Sequence, residues 1–358
     1  MKILYVITQL GVGGAENVLV SMANKMHANA HQVEVVSLIN IKKQNFDNNI
    51  KVHTLDFKKS PLSSFIQLSK IISNYKPDVV HSHCIHANVI TRFVRLVTPI
   101  KKLISTAHSA SEAKGLIMRA FKYTNFLSNV VTNVSSDAVL SYEKSGYISK
   151  NIMKVCFNII DIEKYNFSQF EREKYRQMFN IKAEELVLIS IGTMKEDKDY
   201  PNLIKAVSLV SKYTNKSFKV FIVGAGELYT EMLELSKNEN IFEKITFLGE
   251  RSDIRELLSM SDIFILSSKN EGLPTVLIEA AMAKNTIIAT NCGGVKDILP
   301  TNKNVVPIKN YRVLAEMIVN KMNENEDKRI EESEEVYFHV YKKFNSDKIY
   351  NDWISLYK

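Results

Sequence analysis

Along almost the whole of this chain, short apolar runs rich in β-branched residues alternate with longer stretches of helical period. No other feature limits the fold as much. In the first half the runs fall at 3–8, 33–38, 52–55, 79–82, 103–106 and 130–134, with amphipathic stretches at 15–26, 62–75 and 136–145 between several of them. In the second half they fall at 186–191, 219–223, 245–248, 263–266 and 286–289, and helices are expected at 200–213, 227–237, 254–260 and 274–283. Strands that alternate with helices in this way pair in parallel, with helices covering both faces of the sheet.

So many strands make either one wide sheet or two doubly wound domains. The polar stretch 161–177, rich in Glu, Lys and Asn, interrupts the alternation and reads as a linker. The expected division is therefore 1–165 and 166–335, two Rossmann-like α/β domains, followed by a helical tail at 336–358. The tail carries Tyr337, Phe338, Tyr341, Phe344, Tyr350, Trp353 and Tyr357, which are expected to anchor it to a core rather than to stack on bases.

With 45% apolar and 24% charged residues the composition is that of an ordinary globular protein, which excludes disorder and fibrous repeats. Lys plus Arg total 47 against 39 Asp plus Glu, a formal net charge of +8 that suits an anionic partner without choosing among nucleic acid, acidic lipid and phosphorylated small molecules. Cys84, Cys156 and Cys292 are widely spaced and form no CxxC, which points to a reducing compartment without a zinc cluster. No stretch offers the roughly 20 apolar residues of a spanning helix, and the first run reads as a buried strand rather than a leader. A cytoplasmic protein is expected.

Ligands of open α/β sheets bind beyond the carboxyl ends of the strands, and the chemically suggestive segments all follow strands. G-V-G-G-A-E (11–16) lets backbone approach a ligand and leads into a helix N-terminus with free N–H groups. It is not a full GxGxxG fingerprint, and no acidic residue closes the second run as NAD binding requires. G-A-G-E (224–227) repeats the same physics. Lys198, within G-T-M-K-E-D-K-D-Y-P (192–201), is placed to neutralise a phosphate. N-E-G-L-P-T-V-L-I-E-A (270–280) is the most specific: Pro274 suits the first helical position, the backbone over 273–276 offers donors to an anion, and Glu271 and Glu279 flank that helix start. C-G-G-V-K-D (292–297) is a further glycine loop. Of the eight histidines, His81, His83 and His86 cluster at one strand end, where an HxH metal site is the minor reading. His108 ends another strand and is the better ligand contact. GxSxG, P-loop and HExxH motifs are absent from the sequence, as are RNA-module patterns.

Taken in order, these segments resemble the family-4 retaining glycosyltransferases of GT-B fold. E-G-L-P-T-V-L-I-E (271–279) is similar to the family's E-x7-E signature. G-G-A-E, T-A-H-S (106–109), V-C-F-N-I-I-D (155–161), K-D-Y-P-N-L-I-K-A (198–206), V-G-A-G-E and F-L-G-E-R-S-D-I (247–254) follow the family order over nearly the whole chain. The resemblance implies two domains facing across a cleft, 1–165 binding the acceptor and 166–335 the nucleotide-sugar, with the C-terminal helix crossing back onto the first. It implies transfer of a hexose or N-acetylhexosamine from a UDP-sugar, or else a GDP-sugar, to a glycan or lipid-linked acceptor in bacterial surface-polysaccharide assembly. Retention, independence of metals and other cofactors, and a front-face mechanism with the leaving phosphate as base belong to the same expectation. No nucleic acid is involved, and an anionic membrane face is a candidate docking surface.

Residue by residue, the resemblance puts Gly13 and Gly14 near the donor phosphates or acceptor, Lys198 at the diphosphate, and Gly224 among the donor-binding residues. Glu271 falls on the sugar hydroxyls, Glu279 on the ribose, and His108 beside the reacting sugar. Gly272, Leu273, Pro274, Thr275 and Val276 lie along the sugar and phosphate, and the loop holding Arg251 borders the base. His108, Lys198 and Glu271 are the implied catalytic group. Two positions depart from the family: Thr193 stands where an Arg is usual, with Lys195 as its nearest substitute, and Asn-Ile-Ile-Asp replaces Asn-Gly-Ile-Asp. A nucleotide-sugar epimerase, which lacks this E-x7-E pattern, and a weakly catalytic nucleotide-binding subunit are the rival readings.

Overall fold

A computed structural model describes every residue except Val12, Lys42, Lys43, 110–112 and Lys114, and divides the chain into two compact units, Met1–Ile160 with Ser346–Lys358, and Asp161–Asn345. The first is built on β1 (Lys2–Ile7), β2 (Gln32–Ser37), β3 (Lys51–Thr54), β4 (Val79–His83), β5 (Leu103–Ala107), β6 (Val130–Asn133) and β7 (Met153–Val155). They form one sheet in the order β3-β2-β1-β4-β5-β6-β7, parallel throughout. The central strands are covered on both faces, so β4 and β5 are buried along their full length, as an all-parallel sheet demands.

The second unit holds β8 (Leu186–Ile191), β9 (Phe218–Val223), β10 (Ile245–Gly249), β11 (Ile263–Leu266), β12 (Thr286–Thr290) and β13 (Val305–Val306), in the order β10-β9-β8-β11-β12-β13. Helices Tyr200–Tyr213 and Tyr311–Asn323 pack together over Leu188, Val220, Ile222 and Ile265, closing one apolar core. Local signals start the helices where they are needed. Ser135, Ser168, Asn310 and Asn325 each accept a first-turn N–H at their N-caps, and Pro61 and Pro201 open helices in which a missing N–H costs nothing.

Three expectations are corrected. The polar stretch at 161–177 is no linker: Gln169–Met178 is a helix packed on Ile254–Met260, and Arg172 and Arg176 bind Asp262 and the carbonyl of Met260. The edge strands β7 and β13 lie outside the runs read from sequence. The tail is two helices: Glu326–Lys343 stays with the second unit, and Ser346–Tyr357 joins the first. Trp353 and Tyr357 are buried in that first unit, with Trp353 Nε1 donating to the Phe157 carbonyl at 2.9 Å, whereas Phe338 is 65% exposed. Ile159 and Ile160, where the family has Gly-Ile, are buried.

Candidate active site

The chain runs outward from β8 through β9 to β10, then returns to the other side of β8 for β11. β8 and β11 are therefore neighbours at the topological switch point of the sheet, the place where open α/β sheets bind their ligands, and the loops leaving them lie side by side at the carboxyl edge. Lys198 closes a short 3-10 turn in the first loop, and Glu271 lies in the second. Their side chains meet, Nζ to Oε1, at 2.6 Å, the carboxylate only 11% exposed and the lysine 26%. Ser268 Oγ donates to the same carboxylate oxygen at 2.7 Å, Ser267 Oγ donates to the Lys198 carbonyl at 2.9 Å, and Lys269 N donates to the Asp197 carbonyl at 2.9 Å. The two loops are thus laced together, and the ammonium keeps further N–H donors for an anion.

Glu271 is backed from the neighbouring strand. Gly293 follows β12 with φ +49, and a Cβ there would lie 2.2 Å from the Glu271 carbonyl oxygen. Gly294 N donates to the Gly272 carbonyl at 2.8 Å. Beyond them the helix Thr275–Met282 begins, with Pro274 as its N-cap, one place earlier than the expected first helical position. Leu273 is buried, while Thr275 and Val276 are partly exposed in the first turn, whose N–H groups have no partner within the helix. On the other side, Gly224 has φ +132, and a Cβ would meet the Gly192 carbonyl oxygen at 2.0 Å. Only glycine lets β8, β9 and β10 converge there, with Gly224 N donating to the Gly249 carbonyl at 2.7 Å.

Glu279 sits one turn into the helix, partly buried, and burial pushes its carboxyl up to about 7 against the opposing pull of Lys164 and a hydrogen bond from Thr275. The Tyr165 hydroxyl beside it is pushed up too, by burial and by the Glu279 charge. Lys164 and Tyr165, with Ser252 and Arg255, line a cavity of ≈ 370 Å³. Arg251 is held by Asp253, its Nε donating at 2.8 Å, and Asp253 also accepts from Tyr175 OH. Thr193 and Lys195 are both exposed, on either side of the buried Met194.

The first unit has its own switch point, between β1 and β4. Gly13 precedes and Gly14 begins the helix Gly14–Ala28, and Glu16 folds back so that a Cβ on Gly13 would lie 2.4 Å from its Oε2. Val12 of that turn lies outside the described residues. His108, just past β5, meets His83 at the end of β4, Nε2 to Nδ1, at 2.9 Å. His81 is spent on structure: its Nδ1 bonds Tyr357 OH at 2.8 Å and its Nε2 bonds Thr106 Oγ1 at 2.6 Å, which leaves it no nitrogen for a metal. Burial holds all three imidazoles neutral, His108 down to about 4 and the other two well below the usual range.

The structure therefore joins Lys198 to Glu271 directly, gathers Gly224, Gly272 and the helix start around them, and places Glu279 on the same helix. Gly13, Gly14 and His108 belong to the other unit. Sequence reasoning did not single out Ser268, Tyr165 or the link from His83 to His108. A polar residue closing an apolar run was the available signal for Ser268; nothing local marks Tyr165.

Residues 12–164 match the family model Glycosyltransferase Family 4, and residues 171–336 match Glycosyl transferases group 1. The chain is 23% identical over 301 residues to N-acetyl-alpha-D-glucosaminyl L-malate synthase of Bacillus anthracis, covering 81% of this chain and 77% of that protein. It is 26% identical over 316 residues to the GalNAc-alpha-(1->4)-GalNAc-alpha-(1->3)-diNAcBac-PP-undecaprenol alpha-1,4-N-acetyl-D-galactosaminyltransferase of Campylobacter jejuni, covering 84% and 83%. Among solved structures, Anabaena HepE in complex with UDP superposes with a TM-score of 0.86 at 18% identity, covering 99% of this chain and 98% of that one, a likeness of fold.

Proposed function

Because the chain belongs to the family-4, group 1 glycosyltransferases of GT-B fold, we propose that it moves a hexose or N-acetylhexosamine from a nucleotide-sugar to a glycan or lipid-linked acceptor, in the assembly of a bacterial polysaccharide or glycoconjugate. The observation that carries this reading is the Lys198–Glu271 pair at the switch point of the second sheet. Departure of a nucleoside diphosphate builds negative charge, and Lys198 with the Thr275–Met282 helix start supplies positive potential where it builds. Glu271, fixed by Lys198 and Ser268, is oriented to accept hydrogen bonds from the donor sugar, and Glu279 from the ribose. His108 is assigned to the transferred sugar.

UDP is favoured as the leaving nucleotide, with GDP second; the UDP complex of HepE and the undecaprenol-linked acceptor named for the Campylobacter relative support the donor and acceptor classes. Transfer is read as retaining and metal-independent, with the leaving phosphate taking the acceptor proton. A covalent sugar trapped on Glu271, an inverted product anomer, or loss of turnover in chelator would each overturn its part of that mechanism. The deciding experiment is a thermal-shift series with UDP, GDP, ADP and dTDP on wild type and Lys198→Ala. One nucleotide at about 100 times its Kd is expected to stabilise wild type by about 2.7 kcal/mol and the variant by far less. No shift with any nucleotide overturns the reading and moves a non-catalytic role forward.

No helix among the described residues is long and apolar enough to cross a membrane. Peripheral contact is proposed instead, through the helix Leu116–Tyr123 and the turn after it. Leu116 and Phe126 are each 80% exposed there, beside Arg119 and Lys122, and the net charge is +8. Acidic vesicles should retain the protein at low salt and release it at high salt; equal retention on neutral vesicles counts against an electrostatic contact.

A further inference from the structure

A column of rings crosses the first unit from its last helix to the end of β5. Ring centroids of Trp353 and His81 lie 4.8 Å apart, those of His81 and His83 4.1 Å, and those of His83 and His108 5.2 Å. Trp353, His81 and His83 are fully buried, while His108 keeps a partly exposed edge. His81 is held at both nitrogens, by Tyr357 and by Thr106, and Tyr357 OH is bonded in turn to Tyr5 OH at 3.0 Å.

His83 differs. Its Nδ1 faces His108 Nε2 at 2.9 Å, and its Nε2 is buried without a hydrogen-bond partner among the described residues. A neutral imidazole carries a single N–H, so the contact has two arrangements. If His108 donates, the His83 proton sits on Nε2 and a buried N–H is left without an acceptor. If His83 donates from Nδ1, only a bare ring nitrogen is buried. Orphaned buried N–H groups are the rarer of the two outcomes in folded proteins, and leaving one forfeits its full solvation.

We propose that His83 is a positioning residue for His108: its Nδ1–H donates to His108 Nε2, which fixes the outer imidazole with its own proton on Nδ1. The helix Ser346–Tyr357 holds the column in register through Trp353 and Tyr357. The catalytic consequence rests on the reading of His108 as a residue at the transferred sugar; the tautomer itself does not. The structure thus gives the last helix a task beyond closing the core, since it buttresses a side chain some 250 residues earlier in the sequence through three rings, a distance in sequence that the 276-residue separation of His81 and Tyr357 also shows.

The test is nitrogen-15 NMR of the full chain labelled at histidine, with the His108 signals assigned from their loss in His108→Gln. His108 is expected as the tautomer protonated on Nδ1. A His108 protonated on Nε2 overturns the proposal, and this readout on wild type stands whether or not sugar transfer is the activity. Two variants extend it. His83→Asn keeps a donor near the position of Nδ1 and should retain both the tautomer and most of kcat. His83→Leu should release the ring into a tautomer mixture and lower kcat by about tenfold, the scale for loss of an orienting partner, with KM for the nucleotide-sugar unchanged. Equal losses of kcat in both variants, with the tautomer unmoved, would leave His83 a packing residue and also overturn the proposal.

Discussion

At the switch point of the second sheet a lysine and a glutamate meet at 2.6 Å; at the same end of the first sheet two histidines meet at 2.9 Å, and burial holds both neutral. Both sites sit beyond the carboxyl ends of parallel strands in doubly wound sheets. The backbone plan is shared, and the side chains divide the work. Lys198, with the first turn of Thr275–Met282, is the proposed seat of the anion. The His83–His108 contact is itself uncharged and suits a neutral, hydroxyl-rich group. On the proposed function, the charged end serves the leaving diphosphate and the neutral end the hydroxyl-rich sugar that is transferred.

The largest effect expected is on stability. Trp353 is fully buried and its indole N–H is bonded to the Phe157 carbonyl, so Trp353→Ala should cost about 4 kcal/mol in denaturant unfolding. If the two ends are separate in function, nucleotide binding at low temperature should stay within about twofold of wild type, well under 1 kcal/mol. Wild-type stability in this variant would remove the last helix as the seat of the neutral end. Next in size is Lys198→Ala, which should lower kcat on the order of 10²–10³-fold, the range for loss of one group aimed at developing charge. Circular dichroism should remain that of wild type. Turnover within tenfold of wild type would break the charged half of the comparison.

Much of this was legible in the sequence, for reasons that also explain what was not. The sequence bounds the helices at 200–213 and 254–260 to the residue, because their apolar positions recur at helical spacing over buried faces. The strands β7 and β13 have three and two residues, too few to show any period, and form because a neighbouring strand offers an edge. Gln169–Met178 has one buried residue, Tyr175, so no apolar stripe announces it. What holds it is tertiary: two arginines on Asp262, some 90 residues away. Lys198 and Glu271 were each legible as motif residues, but no spacing rule brings together side chains 73 positions apart. The sheet order does that.

The third prediction uses pH to ask how closed the charged end is. Glu279 titrates at about 7 when folded, against 4.5 for a free glutamate. The folded state therefore holds the proton more tightly, and the stability tied to it is whole below pH 4.5 and lost as pH rises through 7. Glu279→Gln removes that loss. The variant should match wild type near pH 4.5 and exceed it at pH 8 by on the order of 2 kcal/mol, read as a difference in Tm that grows with pH. Parallel stability curves would mean that Glu279 is better solvated than its surroundings imply, and that the pull of Lys164 and Thr275 offsets its burial.

The smallest effect sharpens the comparison most. Thr193 is exposed at the end of β8, where the family carries an arginine, and Lys195 is exposed two residues on. A guanidinium offers a planar pair of donors to a phosphate, whereas an ammonium is a single mobile charge, so the two are not equivalent. If the charged end is one cation short, Thr193→Arg should tighten nucleoside diphosphate binding by about tenfold, the worth of one charge-assisted hydrogen bond. Lys195→Ala in the wild-type background should then change little. If Lys195 already fills the role, the pattern reverses: Thr193→Arg gains nothing and Lys195→Ala loses the tenfold. Isothermal titration of the two single variants separates these cases. Either result says how much positive charge the proposed donor end of this enzyme needs.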